Sequence, residues 1–426
     1  MAEFHIVGKT PLQGEIPVRG AKNSALKAIA AAPLFSRPFL IKNVPAIEDV
    51  SRMTDLLEDL GAETARKGER ELLLDSSNIK GTELKKEIAE RLRASIVLTG
   101  PLLARQKKVS SPYPGGCVIG KRPIDIFIEG FKALGAKVKA SEHGFEARAA
   151  RLAGARFTFK KISVTATETL MMTASLAHGK TVLLNAALEP EIPHLAEFLN
   201  ASGAHIKGAG TPTIEITGTG GNLLTPKAPF VTIPDRVETG SFLVLGALLG
   251  NPLTITDCNP SHLEVPIALL EAAGVNILRG ENSLTVRRAK KISAFDIKTR
   301  EYPGFPTDLQ APFVILLTQA WGQSTVFETV FDGRLNYIDD LNRMGAHITP
   351  GDPHRILVDG PSRLRGREIE SPDLRAGLAF VIAALAARGK SVVRNIYQID
   401  RGYERIEERL SAVGARITRE EADGKN

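Results

Sequence analysis

The sequence predicts an α/β protein of two domains, each built from three copies of one repeat of about 70 residues. Three observations support this prediction. The chain has 426 residues, too many for one ordinary hydrophobic core. A Gly-Ala or Gly-Val pair recurs at spacings of 74, 68, 71, 71 and 69 residues. Each pair follows a short amphipathic pattern, so its glycine is predicted to end an outer helix. The pairs begin at Gly61, Gly135, Gly203, Gly274, Gly345 and Gly414.

Each repeat also contains an earlier, more apolar helix. It is rich in alanine and leucine nearly all round and is therefore predicted to be buried. A short strand such as Phe39–Ile41 or Ser391–Arg394 lies between the two helices, and a hairpin such as Val138–Arg148 or Ile348–Val358 follows the glycine pair. The order is strand, buried helix, strand, outer helix, hairpin. The predicted buried helices are Ala21–Leu34, Ala89–Ala104, Thr165–Ala177, Val237–Leu249, Thr307–Ala320 and Asp373–Ala387.

The second repeat carries an insertion, which we predict to be a loop at Ser110–Pro123. From the end of the buried helix to the glycine pair, the other repeats span 23 to 25 residues, whereas this one spans 30, from Arg105 to Gly135. The loop contains Cys117 on a glycine-rich hinge close to Arg122, an environment that tunes cysteine chemistry. A surface loop with an incidental cysteine fits the local sequence equally well. An added loop on a repeated scaffold nevertheless favours a function there.

Composition narrows the class of protein. The chain is 43% apolar and 24% charged, with a formal net charge of +7. Acidic and basic residues are interspersed, which argues against a nucleic-acid tail, and the small positive excess suits either small anionic substrates or a solvated surface. Two cysteines indicate a reducing compartment, no secretory signal pattern is present, and the longest apolar run, Gly377–Ala387, is too short to span a bilayer. We expect a cytoplasmic protein without nucleic-acid or membrane partners.

Charged and hydroxyl residues stand where the buried helices begin, and helix N-termini can bind anions. Asp235, Thr307 and Asp373 are readily explained as N-caps. Lys22 and Arg93 are not, because a cation opposes the positive end of the helix dipole, so a functional role is favoured for both. If the repeats align these helices within each domain, a cleft between the domains is the expected binding site.

Other reactive residues give weaker signals. Arg401 fits a solvated charge cluster, and Cys258 fits a buried position in a strand. The eight histidines lack metal-ligand spacing, so no metal is expected. No dinucleotide or P-loop motif opens a βαβ unit, so that chemistry is not expected either.

Several motifs together resemble the UDP-N-acetylglucosamine enolpyruvyl transferase family, in the same order over nearly the whole chain. They are Gly20–Asn23, Arg93–Ser95, Pro114–Cys117, Arg122–Asp125, Phe305–Asp308, Asp373–Ala376 and Asp400–Arg405. The resemblance implies the family's fold, an inside-out α/β barrel in two domains of three repeats each. It also implies one domain at 20–230 and another from 1–19 and 231–426, with the active site in the cleft between them.

The resemblance further implies the activity. The family transfers the enolpyruvyl group of phosphoenolpyruvate to the 3′-hydroxyl of UDP-N-acetylglucosamine and releases phosphate, in the first committed step of peptidoglycan synthesis, with no cofactor. By resemblance, Cys117 protonates C3 of phosphoenolpyruvate, and Asp308 accepts the hydroxyl proton, as a tetrahedral ketal forms. Lys22, Arg122 and Arg401 match the positions that bind the phosphate and carboxylate. The other implied binding residues are Asn23, Arg93, Pro123, Ile124, Asp125, Ile126, Lys161, Ile162, Ser163, Val164, Val330, Asp373 and Arg375.

The chain departs from the usual family residues at Tyr113, Phe127 and Thr165. Two alternatives remain open at this point. The shikimate-3-phosphate enolpyruvyl transferase shares the fold and the donor, although the loop with Cys117 and the Gly20–Asn23 motif speak against it. A non-catalytic, RNA-binding relative is disfavoured by the interspersed charges and the lack of aromatic patterns.

Overall fold

The structure is a computed structural model that describes residues 2–115 and 123–421. These residues form two compact units. The first unit runs from Gly20 to Ile233, and the second combines the N-terminal segment up to Arg19 with the chain from Pro234 onward. Among the described residues, no helix is both long and apolar enough to cross a membrane.

The helices and strands are bounded as follows. The α-helices are α1 (Lys22–Ala30), α2 (Glu48–Asp59), α3 (Lys86–Ala89), α4 (Ser95–Gln106), α5 (Asp125–Ala133), α6 (Val164–Ser175), α7 (Glu191–Ala201), α8 (Arg236–Leu249), α9 (Glu264–Ala272), α10 (Gln310–Leu317), α11 (Ile338–Arg343), α12 (Leu374–Ala386), α13 (Tyr397–Asp400) and α14 (Ile406–Ala412). Short 3-10 helices are Ala32–Leu34, Pro260–Leu263 and Thr307–Leu309. The strands are β1 (Ala2–Val7), β2 (Leu12–Pro17), β3 (Phe39–Lys42), β4 (Glu63–Gly68), β5 (Glu71–Asp75), β6 (Lys108–Pro112), β7 (Lys137–Ala140), β8 (Gly144–Arg148), β9 (Arg156–Thr158), β10 (Lys180–Leu184), β11 (His205–Lys207), β12 (Thr213–Thr217), β13 (Phe230–Val231), β14 (Gly250–Thr256), β15 (Ile277–Arg279), β16 (Leu284–Val286), β17 (Ile297–Lys298), β18 (Gly322–Phe327), β19 (His347–Asp352), β20 (Arg355–Gly360), β21 (Glu368–Glu370), β22 (Lys390–Arg394) and β23 (Arg416–Glu421).

The predicted repeat is confirmed by the sheets. In most of them a leading strand lies parallel to the strand that follows the buried helix, and the hairpin continues the sheet antiparallel to that strand. The first unit has the strand orders β13-β3-β5-β4, β6-β8-β7 and β9-β10-β12-β11. The second unit has β2-β14-β16-β15, β17-β18-β20-β19 and β21-β22-β1-β23.

Strands from distant parts of the sequence complete three of these sheets. β1 lies between β22 and β23, antiparallel to both, and takes the place of a hairpin strand in the last repeat. β2 is the parallel leading strand for β14. β13, at the end of the first unit, is the leading strand for β3 at its beginning. The first and last segments of each unit are thereby joined by backbone hydrogen bonds.

The apolar helices form the cores, as predicted. Every residue of α8 is buried, and α12 is buried from Arg375 to its end. α4 packs on α6 at close range: a Cβ added to Gly100 would lie 2.4 Å from the hydroxyl of Thr173. Burial of each large apolar side chain contributes about 1.5–3 kcal/mol. The glycines that end the outer helices all have positive φ, for example 107° at Gly203, which confirms their predicted role as helix ends.

The second repeat differs from the prediction. Ser110–Pro112 belong to β6 and pair with β8, so the predicted loop begins later, at Tyr113. The buried helix predicted from Ala89 begins at Ser95, because a turn separates α3 from α4. Where the other repeats have a leading strand, this one has a single parallel bridge between Glu83 and Ser110.

Candidate functional site

Two of the predicted site residues, Cys117 and Arg122, lie outside the described residues. The other predicted site residues are described, some in each unit. Several of them, among them Lys22, Ser163, Asp308 and Asp373, stand where buried helices begin.

Asp308 lies in the 3-10 turn that leads into α10, and two buried guanidinium groups hold it. Arg334 Nη2 is 2.8 Å from Asp308 Oδ1, and Arg375 Nη2 is 3.0 Å from Oδ2. Arg375 Nε donates a second hydrogen bond to the same Oδ2 at 3.2 Å. The Asp308 side chain itself remains 27% exposed. The turn therefore presents a carboxylate, flanked by two arginines, that is still accessible from outside.

The charge state of Asp308 follows from these neighbours. Burial would raise the pKa of this carboxyl, but Arg375 and Arg334 outweigh burial and hold the pKa well below its usual range. The carboxylate is therefore ionised across the physiological range. In this arrangement it is also a weak base, because two cations stabilise its charged form.

Arg375 is positioned by the first turn of α12. Asp373 caps this helix, and its Oδ1 accepts hydrogen bonds from the backbone N–H groups of Arg375 and Ala376 at 2.8 and 3.1 Å. Arg375 Nη1 donates to the hydroxyl of Tyr403 at 2.8 Å. Burial, opposed by Arg375, raises the pKa of Tyr403 to about 12, so its hydroxyl stays neutral. The N-cap predictions are confirmed for Asp373 and for Asp235, which caps α8.

The N-cap prediction is wrong for Thr307. Its hydroxyl donates to Oε2 of the fully buried Glu328 at 2.8 Å and accepts from Arg334 Nη1 at 3.1 Å. Glu328 Oε1 accepts the backbone N–H of Val330 at 2.8 Å. Glu328 therefore links the Asp308 turn to the segment that carries Val330.

The sequence context of Arg401 suggested a solvated charge cluster, but the structure shows a buried side chain instead. Only 9% of the residue is exposed, and its Nη1 donates to Gln398 Oε1 at 3.0 Å. Arg401 follows directly after α13, whose short turn brings the guanidinium under the surface. A buried cation of this kind is suited to binding an anion.

In the first unit, Lys22 and Asn23 begin α1. Lys22 Nζ lies 2.5 Å from Oδ2 of buried Asp49, which offsets the unfavourable position of a cation at a helix start. One turn later, Lys27 Nζ donates to the backbone oxygen of Asn23 at 3.0 Å and lies 2.9 Å from Oε2 of Glu168. Buried charges therefore fix the first turn of α1.

Arg93 ties the start of the Cys-bearing loop to the region before α4. Its Nη1 donates to the backbone oxygen of Pro114 at 3.0 Å. The next residue, Gly115, comes so close to the turn after α3 that an added Cβ would lie 2.0 Å from the carbonyl oxygen of Glu90. This end of the loop is thus held by a side chain and by close backbone packing.

The remaining predicted contacts lie at two helix starts. Ile124 precedes α5, and Asp125 and Ile126 form its first turn, while Pro123 is exposed. Ser163 caps α6 through the backbone N–H of Ala166 at 3.3 Å, and Lys161, Ile162 and Val164 flank it. Phe127, one of the departures from the family pattern, is 3% exposed and belongs to the core.

The structure joins Asp308, Arg375 and Asp373 in one network, and it places Lys22 and Asn23 on one helix turn. The sequence did not predict several residues that hold the site residues in place. They are Arg334 and Glu328 beside Asp308, Asp49 beside Lys22, and Lys27 with Glu168 beside Asn23. A charged residue within a helix that is otherwise buried all round, such as Glu168, was a signal that could have been used. Within 2–115 and 123–421, no group of three or more His, Cys, Asp or Glu is placed to hold a metal ion.

Comparison with known proteins gives consistent results. The sequence model of the EPSP synthase (3-phosphoshikimate 1-carboxyvinyltransferase) family matches residues 6–410. The chain is 44% identical over 426 residues to the UDP-N-acetylglucosamine 1-carboxyvinyltransferase of Solibacter usitatus, covering 99% of this chain and 100% of the relative. It is 41% identical over 417 residues to the protein of the same name from Helicobacter pylori, covering 98% of each.

Solved structures agree on the architecture. The enolpyruvyl transferase NikO from Streptomyces tendae superposes with a TM-score of 0.88 at 25% identity, over 98% of each chain. An EPSP synthase from Acinetobacter baumannii superposes with a TM-score of 0.75 at 18% identity, over 99% of this chain and 100% of the other, which concerns the fold alone. The predicted fold class, a two-domain enolpyruvyl transferase fold, is confirmed.

Proposed function

This chain belongs to the UDP-N-acetylglucosamine 1-carboxyvinyltransferase family and is an enolpyruvyl transferase, and we propose that it moves the enolpyruvyl group of phosphoenolpyruvate to the 3′-hydroxyl of UDP-N-acetylglucosamine. Phosphate is the second product, and the reaction serves peptidoglycan synthesis. The structural observation that supports this most strongly is the Asp308 carboxylate between Arg334 and Arg375. It supplies a proton acceptor beside groups that bind anions.

The donor substrate carries a phosphate and a carboxylate, and cationic side chains with several donors are suited to both. We assign Lys22, Arg122 and Arg401 to these anionic groups. Lys22 and Arg401 are each 9% exposed, so they can contact a ligand without being fully hydrated beforehand. A partly desolvated cation binds an anion more strongly than one in bulk water does.

The reaction requires two proton transfers in its first half. The sugar oxygen attacks C2 of phosphoenolpyruvate and gives up its proton to Asp308, while Cys117 gives a proton to C3. The product of this addition is a tetrahedral ketal that still carries the phosphate. In the second half the C2–O bond to phosphate breaks and a proton leaves C3, which restores the double bond in the product.

Asp308 must become a better base than its present contacts allow. Arg375 and Arg334 lower its pKa through their positive charge, which the anionic groups of a bound donor would partly neutralise. Binding of phosphoenolpyruvate would therefore raise the pKa of Asp308. Base strength would then develop when the donor is bound.

The nucleotide sugar is assigned to Asn23, Arg93, Pro123–Ile126, Lys161–Val164 and Val330. Most of these residues stand at or beside the starts of α1, α4, α5 and α6, where unpaired backbone N–H groups favour a diphosphate. Asp373 supports Arg375 by capping α12. We propose that the reaction uses no cofactor and that the protein has no nucleic-acid partner. We also propose a cytoplasmic location, because a chain of this length with only two cysteines is typical of a reducing compartment. The domain boundaries, 20–230 and 1–19 with 231–426, remain part of the proposal.

The acceptor is tested by supplying phosphoenolpyruvate with either UDP-N-acetylglucosamine or shikimate 3-phosphate and following phosphate release. We expect turnover with the nucleotide sugar only. Asp308→Asn should lower kcat by about 10²–10⁴-fold, the range for loss of a general base. Asp359→Asn is the matched control, because that carboxylate accepts a hydrogen bond from Gln323 in an exposed pair. Turnover with shikimate 3-phosphate, or equal kcat for both variants, would contradict the proposal.

A further inference from the structure

A basic pocket lies in the second unit, and none of the residues that line it belongs to the site proposed above. Its volume is about 490 Å³, and its lining includes Arg343, Arg363, Arg365 and Arg367 together with His347. Met344 and Ser362 in the lining are buried, whereas the four arginines are exposed, so the pocket is open to solvent. No aspartate or glutamate is among the lining residues.

Three of these arginines belong to the segment Arg363-Leu364-Arg365-Gly366-Arg367, which leads into β21. Alternate residues of an extended chain face the same side. Leu364 is 3% exposed and faces the core, and Gly366 approaches another strand so closely that an added Cβ would lie 2.0 Å from the backbone oxygen of Lys390. The three arginines are therefore directed to one side by the packing of the residues between them.

The positive charge in the pocket is poorly compensated. Within the described part of the chain, Arg363, Arg365 and Arg367 form no ion pair, whereas Arg343 pairs with Asp340. Glu368, the carboxylate next in sequence, pairs with Arg394 instead. Like charges gathered in one concavity repel each other, so an anion placed there would be attracted by several groups at once.

A purely structural explanation accounts for only part of this cluster. A cation in the last turn of a helix is stabilised by the helix dipole, and Arg343 ends α11 in this way. Arg363, Arg365 and Arg367 are not on a helix, so the dipole gives no reason for three guanidinium groups around one cavity. Their number and common direction point to a ligand.

We propose that this pocket binds a compact oligophosphate, meaning a small anion with two or more linked phosphate groups. Guanidinium groups donate paired hydrogen bonds that match phosphate oxygens, and several arginines can share one phosphate chain. The volume lies in the range of small-molecule sites. The pocket lining contains no Phe, Tyr or Trp on which a base could stack, and His347 is its single aromatic ring, so recognition rests mainly on the phosphates.

The test is calorimetric titration of the full chain with inorganic triphosphate, pyrophosphate and phosphate. We expect affinity to rise with the number of linked phosphates. Arg365→Ala should weaken triphosphate binding about tenfold, and Arg365→Lys should weaken it less, because the charge remains but the paired donors are lost. The matched control is Arg156→Ala, an exposed arginine of the first unit, which should leave binding unchanged. Both alanine variants should keep wild-type enolpyruvyl transfer.

Further titrations show which kind of molecule carries the phosphate groups that the pocket binds. If ADP and UDP bind with the same affinity as pyrophosphate, the pocket recognises the diphosphate group alone. A strong preference for one nucleoside would overturn that claim. Equal triphosphate affinity in Arg365→Ala and Arg156→Ala, or no binding to the wild type, would overturn the site. Tighter, Arg365-dependent binding of single-stranded RNA would replace it with a nucleic-acid surface.

Discussion

Glu168 is a carboxylate in the core of the first unit, and Glu168→Gln is expected to change how stability depends on pH. The Glu168 side chain is fully buried on α6, and its Oε2 lies 2.9 Å from Lys27 Nζ. Glu189 and Glu191 are the other charged groups whose fields reach it. Burial raises the pKa of Glu168 from 4.5 to about 7, since the attraction of Lys27 only partly offsets burial and the two glutamates add to the rise.

The sign of the effect follows from this raised pKa. Between pH 4.5 and about 7 the folded chain holds a proton on Glu168 that the unfolded chain has lost. The stabilisation is complete below the unfolded pKa and is lost as the pH rises through the folded pKa. The difference between the two pKa values corresponds to about 3 kcal/mol in the free energy of unfolding.

The assay is urea denaturation of the wild type and Glu168→Gln between about pH 5 and pH 8. The wild type should lose about 2–3 kcal/mol relative to the variant over this range. Glu129→Gln is the matched control, because Glu129 also lies 2.9 Å from a lysine, Lys160, but both side chains are exposed. The control should change stability by only a few tenths of a kcal/mol at any pH. If the wild type and Glu168→Gln showed parallel pH profiles, the reasoning would be refuted.

Three further predictions test separate parts of the account. Tyr403→Phe removes a hydroxyl that accepts from a buried guanidinium and should lower the free energy of unfolding by about 1–3 kcal/mol in urea denaturation; no change would count against that contact. Cys117→Ser should lower turnover strongly, whereas Cys258→Ser should not, because burial raises the pKa of Cys258 to about 11 and keeps that thiol neutral; equal steady-state rates would remove the role of Cys117. Gly115→Ala introduces a Cβ 2.0 Å from the carbonyl oxygen of Glu90 and should reduce activity by displacing the loop; wild-type kinetics would show that the loop tolerates the shift.

The repeats were predictable because a local signal marks each one. A glycine with positive φ ends each outer helix, and the spacing of those glycines gives the repeat length directly. The family resemblance assigned residues 1–19 to the second domain, but the pairing of β1 with β22 and β23, or of β13 with β3, could not be predicted from local patterns, because it joins segments far apart in the sequence. No local pattern specifies such a partner.

The candidate site was predictable only where a residue is part of a recognisable motif. Asp308 and Arg375 could be selected from the sequence, whereas Arg334 and Glu328 act through side-chain contacts with the Asp308 turn that arise only in the folded chain. Thr307 shows the same limit, because its hydroxyl bonds to Glu328 and not to its own helix.

The most direct test of the proposed reaction is the structure of its product. The full chain is incubated with phosphoenolpyruvate and UDP-N-acetylglucosamine, and the nucleotide product is isolated and examined by NMR spectroscopy. We predict an enol ether that joins C2 of the enolpyruvyl group to the 3′-oxygen of the sugar, formed together with an equal amount of phosphate. An unmodified nucleotide sugar, or an enolpyruvyl group attached to a different oxygen, would contradict the account.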